Sequence, residues 1–230
     1  HFVDIDLETL NYDLNKLSEA VSSKTRIIMA VNLLGNSNDF DSIDRIINGR
    51  EIIVIEDNCE SLGAEFNNKK CGTFGLMGTF SSYFSHHIST VEGGIVATDS
   101  EELYHILLCL RSHGWTRNLP SKNLITGNKS SDDFYESFKF VLPGYNVRPP
   151  EYAGAIGVEQ LRKLPGMVIQ RQKNAKFWID EMSKIPFLMA QKEIGASSWF
   201  GFSVILTDTE NFSRDNIIKK LTNNGFDVRP

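Results

Sequence analysis

The sequence predicts an α/β fold built on a mostly parallel sheet, and three consecutive stretches carry that prediction. Residues 26–31 (RIIMAV) form a short, β-branched apolar run that suits a buried strand. Phe40, Ile43, Ile46 and Ile47 fall at helical spacing, and Gly49 follows as a stop. Residues 51–55 (EIIVI) are a second buried strand, running straight into Glu56, Asp57 and Asn58. Strand, helix and strand at this spacing make a βαβ unit, whose crossover lays the two strands parallel.

The pattern continues along the chain. Residues 78–84 (GTFSSYF) alternate as a strand does, and residues 94–98 (GIVAT) give another. Asp99 or Ser100 then caps a helix through Ser112, with Leu103, Ile106, Leu107 and Leu110 on one face and Gly114 as terminator. Residues 115–148 are poor in periodicity and rich in Asn, Ser, Lys and Gly, which in a compact enzyme marks a functional or a disordered loop. Pro149 and Pro150 open a helix to Leu164, Pro165 interrupts it, and a second helix spans residues 166–185. A strand over 198–206, a helix over 212–224 and the beginning of another strand at 227–230 resemble the start of a smaller α/β domain. The division expected is a large part, 1–165, and a connecting helix with the start of a small part, 166–230. The chain opens in what reads as a strand and closes in another, so both ends are expected to be truncated.

Composition narrows the function. A 41% hydrophobic and 23% charged chain of 230 residues can bury a real core. The net charge of −5 carries no basic footprint, so no nucleic-acid partner is expected. No apolar run approaches the ~18 residues that a membrane span needs, so no membrane partner is expected either. Cys59, Cys71 and Cys109 are odd in number and form no CxxC pair, which fits reduced thiols in a cytoplasmic enzyme and no metal site.

Several residues could carry chemistry. Asp57 lies at the carboxyl end of a buried strand, where open α/β sheets bind ligands; it fits either a partner for a protonated heterocycle or a cap for the next helix. His86 and His87 sit in SSYFSHHISTVEGG, after a strand and among hydroxyls. Imidazole titrates near neutrality and can shuttle protons, although paired histidines also suit a plain surface. Arg117 follows His113 and Trp115, and Arg148 follows Tyr145 and Asn146. Guanidinium suits carboxylate or phosphate, and it equally suits a solvated loop. Trp178, Trp199 and Phe200 read as core.

In their order these pieces resemble one family, the sugar aminotransferases called DegT/DnrJ/EryC1/StrS, with the aspartate aminotransferase-like type I fold. The family's E-D-x-A-Q-x-x-G-A pattern is matched by Glu56-Asp57-Asn58-Cys59-Glu60-Ser61-Leu62-Gly63-Ala64. Its S-F-x-x-x-K strand and Glu-Gly-Gly turn are matched by Ser81-Ser82-Tyr83-Phe84-Ser85-His86 and Glu92-Gly93-Gly94, and its G-Y-N-x-R by Gly144-Tyr145-Asn146-Val147-Arg148. The resemblance implies a pyridoxal or pyridoxamine 5′-phosphate cofactor. Asp57 would pair with its ring nitrogen, Ser81 would contact its phosphate, and Glu60 would order water or the ring, with Cys59 facing the ring. Asn146 would reach the phosphate in the neighbouring subunit, which implies a homodimer with shared sites. Arg117 and Arg148 would bind substrate, either glutamate's carboxylate or the sugar diphosphate.

The departure is His86, which stands where aminotransferases of the family carry a lysine. A primary amine can bond to the cofactor's aldehyde; an imidazole cannot, yet it still moves protons. The resemblance therefore implies the family's 3-dehydratase chemistry, removing the C3 hydroxyl of a nucleotide-bound 4-keto-6-deoxy hexose with glutamate as amine donor. GDP-4-keto-6-deoxymannose, a precursor of colitose in O-antigen lipopolysaccharide, is the substrate the overall likeness suggests. The branch that uses an iron–sulfur cluster needs about four thiolates, and residues 115–148 contain no cysteine. An ordinary sugar aminotransferase and a non-catalytic remnant are the competing readings.

Overall fold

The computed structural model describes residues 1–229. It begins with an irregular segment and α1 (Leu14–Ala20), capped by Asp13, whose side chain accepts from the Asn15 and Lys16 N–H groups. The βαβ unit follows as β1 (Ile27–Val31), α2 (Phe40–Ile47) and β2 (Ile53–Asp57). Asp39 caps α2 by accepting from Ser42 N, and Asn48 closes it in the left-handed conformation. A hairpin, β3 (Glu65–Phe66) and β4 (Lys69–Lys70), leads to β5 (Met77–Ser81) and β6 (Gly94–Ala97). The four main strands form one sheet in the order β1-β2-β5-β6. β1, β2 and β5 run parallel, and β6 is an antiparallel edge. The expected mostly parallel sheet is therefore present.

Alternation along the strands sorts the two faces. Ile28 and Ala30 of β1 are buried and join Leu17, Phe40, Ile43 and Phe66 in the core beneath α1 and α2. Phe74 stacks on Phe40 with ring centroids 4.3 Å apart, closing that core. Ile27, Met29 and Val31 point to the opposite, exposed face.

β2 lies two residues later than the spacing predicts, at 53–57 rather than 51–55, which draws Glu56 and Asp57 into the strand. The core tolerates Glu56 there because its carboxylate collects three backbone N–H groups: Gly72 at 2.5 Å, Phe74 at 2.6 Å and Gly75 at 2.8 Å. A buried carboxylate with that many donors is satisfied rather than stranded.

Beyond β6 come α3 (Glu101–Leu110), capped by Ser100, and the 115–148 segment, which is largely irregular around the hairpin β7 (Lys122–Asn123) and β8 (Gly127–Asn128) and the short α4 (Asp133–Ser137). α5 (Glu151–Met182) then runs 32 residues without a break. The interruption expected at Pro165 does not occur. Proline in a helix interior costs about 3 kcal/mol, and packing on both sides of it offsets that here. Leu164 is buried, and Leu164 and Val168 lie against Gly63, one turn apart. Further along, Arg171 and Gln172 donate to main-chain carbonyls of Ser197, Trp199 and Phe200.

The end of the chain departs most from expectation. The strand predicted over 198–206 exists only as β10 (Val204–Leu206), paired antiparallel with β9 (Leu188–Ala190), and α6 (Arg214–Asn223) follows. Residues 198–200 instead run against the turn after β1: Ser198 N donates to Gly35 O at 2.9 Å and Phe200 N to Leu34 O at 3.0 Å. Residues 1–4 and 226–229 form no strand, so the strands expected at both ends are corrected; Pro230 lies outside the described residues.

Gly35 makes the 198–200 contact possible. Its φ is +93°, and a Cβ there would collide with the backbone nitrogens of Trp199 and Phe200. Gly35→Ala is therefore expected to destabilise the fold by about 2–4 kcal/mol in urea unfolding, from left-handed strain and overpacking together. A loss below about 0.5 kcal/mol would show that the two segments separate easily.

Candidate functional site

The site assembles where β2 and β5 end. Asp57 pairs in register with Thr79, and Ser81 lies two residues further along β5, so all three side chains share the face opposite Glu56. Asp57 does not cap a helix. Its Oδ1 accepts the Cys59 N–H at 3.0 Å, and no cation lies within ion-pair distance of it among the described residues. A half-buried carboxylate left without a counter-charge at a sheet's carboxyl edge suits a cationic ring nitrogen. The Cys59 thiol beside it is pushed up to about 11 by burial, then by the hydrogen bond and charge of Asp57, so it stays protonated. Ser81 Oγ accepts the Tyr83 N–H at 3.2 Å.

β5 ends at Ser81 because the chain folds into a tight loop. Thr90 N donates to Ser82 O, Ser82 N donates to Gly93 O, and the Ser82 and Thr90 hydroxyls bond at 2.7 Å. A Cβ on Gly93 would press into both hydroxyls, which is why the Glu-Gly-Gly turn needs glycine. His86 is carried by this loop, its N–H donating to Tyr83 O at 2.9 Å. Its ring lies between Tyr83, at 5.9 Å between centroids, and Phe200, at 5.2 Å. Nδ1 of His86 is buried with no hydrogen-bond partner among the described residues.

His87 faces inward. It is 4% exposed, its Nε2 lies 3.3 Å from Ser198 O, and its ring also meets Phe200, at 5.5 Å. Burial, above all, lowers its pKa to about 4; the Ser198 carbonyl opposes the shift, while the charges of Arg171 and His86 add to it. The two histidines thus divide: His87 is a neutral packing group, and His86 is half-buried between Tyr83 and Phe200.

The remaining expected residues make contacts of their own on this chain. Glu60 points back into the fold, where Oε2 accepts the Leu34 N–H at 3.0 Å. Arg117 lies over the Trp115 ring, 5.1 Å from its centroid. Arg148 Nε donates to Asn146 Oδ1 at 3.2 Å, and both side chains are exposed. Among the described residues, no hydrogen bond of Arg117, Asn146 or Arg148 reaches Asp57, Ser81 or His86. Phe200, read as core from sequence, is instead half-buried against the histidines, and Trp199 is core as expected. Nothing local in the sequence marks Phe200, because its contact with His86 spans more than a hundred residues.

The model of the DegT/DnrJ/EryC1/StrS aminotransferase family matches residues 1–230. The chain belongs to this family. It is 60% identical over 229 residues to the GDP-4-keto-6-deoxy-D-mannose 3-dehydratase of Escherichia coli O55:H7, covering 100% of this chain and 59% of that protein. The structure of the E. coli GDP-4-keto-6-deoxy-D-mannose-3-dehydratase with bound hydrated PLP superposes with a TM-score of 0.98 at 60% identity, over 100% of this chain and 59% of that one. A GDP-4-keto-6-deoxymannose-3-dehydratase with a trapped PLP–glutamate geminal diamine gives 0.98 at 59% identity, over the same shares. The chain thus spans about three-fifths of the relatives it matches, and it has the type I aminotransferase fold of the DegT/DnrJ/EryC1/StrS proteins.

The burial of His87 has a measurable consequence for this family member. Its folded pKa lies below the ordinary 6.5, so between pH 6.5 and 4 the unfolded chain takes up a proton that the folded chain refuses. Stability is therefore expected to fall as pH drops through that window, by about 3 kcal/mol in total from this group. Urea unfolding of the wild type and of His87→Gln at pH 7 and pH 4.5 checks this. The variant should lose less stability between the two, and equal losses would remove His87 as the source.

Proposed function

We propose that the protein is a pyridoxal/pyridoxamine 5′-phosphate-dependent nucleotide-sugar 3-dehydratase. It removes the C3 hydroxyl of a 4-keto-6-deoxy hexose, GDP-4-keto-6-deoxymannose, with glutamate as amine donor. Two observations carry this reading: Asp57, without a counter-ion among the described residues, stands at the carboxyl end of β2, and His86, a residue without an amine, stands at the position where the family's transferases hold lysine. The relatives' names and ligands give it the nucleotide and the amine donor.

When bound, the cofactor supplies an amine for the sugar's C4 ketone and a conjugated ring that accepts electrons. Asp57 would hold the proton on the ring nitrogen, and Ser81 would bind the phosphate through its hydroxyl. His86 would carry a proton from the C4′ carbon to the departing C3 oxygen, acting first as base and then as acid. The balance closes: glutamate is oxidised to its 2-keto acid with release of ammonia, and C3 is reduced to a methylene as its hydroxyl leaves as water. Glu60, whose carboxylate accepts the Leu34 N–H, would order the ring through the loop it holds.

We place Asn146, Arg148 and Arg117 in the site of a second copy. All three are exposed on this chain, and Phe134, Phe138, Tyr145 and Tyr152 leave an apolar surface beside them. A homodimer with shared sites would cover that surface and bring Asn146 to the partner's cofactor phosphate, with the two arginines on the sugar diphosphate or glutamate. A cytoplasmic location suits three free cysteines, and colitose formation for O-antigen suits the substrate. Residues 1–165 would form the cofactor-binding part and 166–230 the connecting helix with the start of the smaller part.

The full-length protein given pyridoxamine phosphate and the GDP-keto sugar should release ammonia with loss of the C3 hydroxyl; an amino-sugar product, or borohydride trapping of the cofactor on a lysine, overturns the assignment. His86→Asn should lower dehydration by roughly 10²–10⁴-fold while leaving cofactor affinity within threefold. Undiminished turnover would remove His86 as the proton carrier. Asp57→Asn should weaken cofactor binding roughly 10–100-fold in a spectral titration, since the ring nitrogen loses its counter-charge. An unchanged titration would contradict that role.

A further inference from the structure

An imidazole that must deliver a proton along one direction needs its ring held, and proteins commonly do this with a hydrogen bond on the second nitrogen. His86 has no such bond: Nδ1 is buried and unpartnered among the described residues. What holds the ring is packing. Tyr83 meets it edge-on at 70°, and Phe200 lies across it at 31° with centroids 5.2 Å apart.

Phe200 is itself fastened at its main chain. Its N–H donates to Leu34 O at 3.0 Å, and its carbonyl accepts Arg171 Nη1 at 2.9 Å. The same Nη1 bonds Trp199 O at 2.9 Å. Leu34 sits at φ +56°, an uncommon conformation for a side chain of its size, and its N–H is held by the Glu60 carboxylate. Trp199, also at positive φ, is buried at 2% exposure. Two residues at positive φ, each held by a charged side chain, flank the main chain of Phe200: Leu34 through its carbonyl and Trp199 as the preceding residue. Backbone strain of this kind persists only where the surroundings over-determine it, and it gathers at functional sites.

We propose that Phe200 is the positioning residue of His86: its ring face sets the plane of the imidazole, and Glu60, through Leu34, and Arg171 hold Phe200 in place. This rests on the reading of His86 as proton carrier. It gives Glu60 and Arg171 a role in the reaction without either touching substrate. Residues from the turn after β1, the loop after β5, the middle of α5 and the 197–201 segment would then act as one unit on one ring.

The test uses the full-length holoenzyme and three variants, Phe200→Leu, Phe200→Tyr and Arg171→Met. Phe200→Leu keeps an apolar side chain of similar bulk and loses the flat face. It should lower kcat roughly 10–100-fold, the scale of a small misalignment of a reacting group, with KM for the sugar and the cofactor spectral titration unchanged. Phe200→Tyr restores the face and should stay within threefold of wild type. Arg171→Met releases both carbonyls and should fall between them; it also carries the test should Phe200→Leu fail to fold.

The second readout is independent of turnover. Nitrogen-15 correlation spectra of the histidine rings, with the His86 signals identified by their loss in His86→Asn, report tautomer and ring order. Wild type should show one tautomer for His86. Phe200→Leu should show averaged, broadened His86 signals, with those of the remote His105 unmoved. Wild-type-like His86 signals in Phe200→Leu, or a kcat within twofold, overturn the proposal. If His86→Asn keeps full turnover, the proton-carrier reading fails, while the ring spectra still decide whether Phe200 orients the imidazole.

Discussion

Two neighbouring carboxylates on β2 are treated in opposite ways, and the site depends on that difference. Glu56 turns into the core and takes the N–H groups of Gly72, Phe74 and Gly75. Asp57 turns to the other face and has no counter-ion among the described residues. The side-chain period of a strand is two, so a slip of one residue would exchange them, burying the free charge and exposing the satisfied one. The three donors on Glu56 oppose that slip. They also tie residues 72–75 to β2 and so fix where β5 starts. The register that seals the core is the same register that presents Asp57, Thr79 and Ser81 together.

A second constraint is the close approach at Gly35. A turn just after β1 and a segment more than 160 residues later touch backbone to backbone, with Ser197, Ser198 and Phe200 all bonded to Leu34 or Gly35. This contact brings an aromatic ring from the end of the chain onto a loop that the sheet supplies near its middle. The candidate site is therefore made of several remote segments rather than one motif, and its geometry is inherited from the packing between them.

That division explains what was legible in the sequence. The βαβ unit, the Ser100 cap of α3 and the sheet's mostly parallel sense follow from local period and capping chemistry, and the structure has them. Asp57, Ser81 and His86 were legible as an ordered motif; Asp57 and Ser81 share one face of β2 and β5, and His86 lies on the loop that follows β5. The two-residue shift of β2 was not legible, because a buried glutamate breaks the apolar run and only tertiary N–H donors make it tolerable. The continuous α5 was missed for a similar reason: local preference breaks a helix at Pro165, and packing of Leu164 and Val168 on Gly63 overrides it. Residues 198–203 have the composition of a strand, yet the N–H groups of Ser198 and Phe200 go to the Leu34–Gly35 turn, a partner no window on the sequence can reveal. Phe200 and Glu60 took their places through that same long-range contact.

The unbroken α5 has one more implication. Near its start Gly157 lies against Thr90, at the base of the loop that carries His86, with a Cβ there only 3.2 Å from the threonine methyl. About four helical turns later its Arg171 and Gln172 grip the segment that carries Phe200. One rod thus spans both halves of the imidazole's housing and continues into the β9–β10 unit. A tilt of that unit would be transmitted to both walls together, so the housing would shift as a block and keep its internal alignment. Had Pro165 severed the rod, the two walls would move separately.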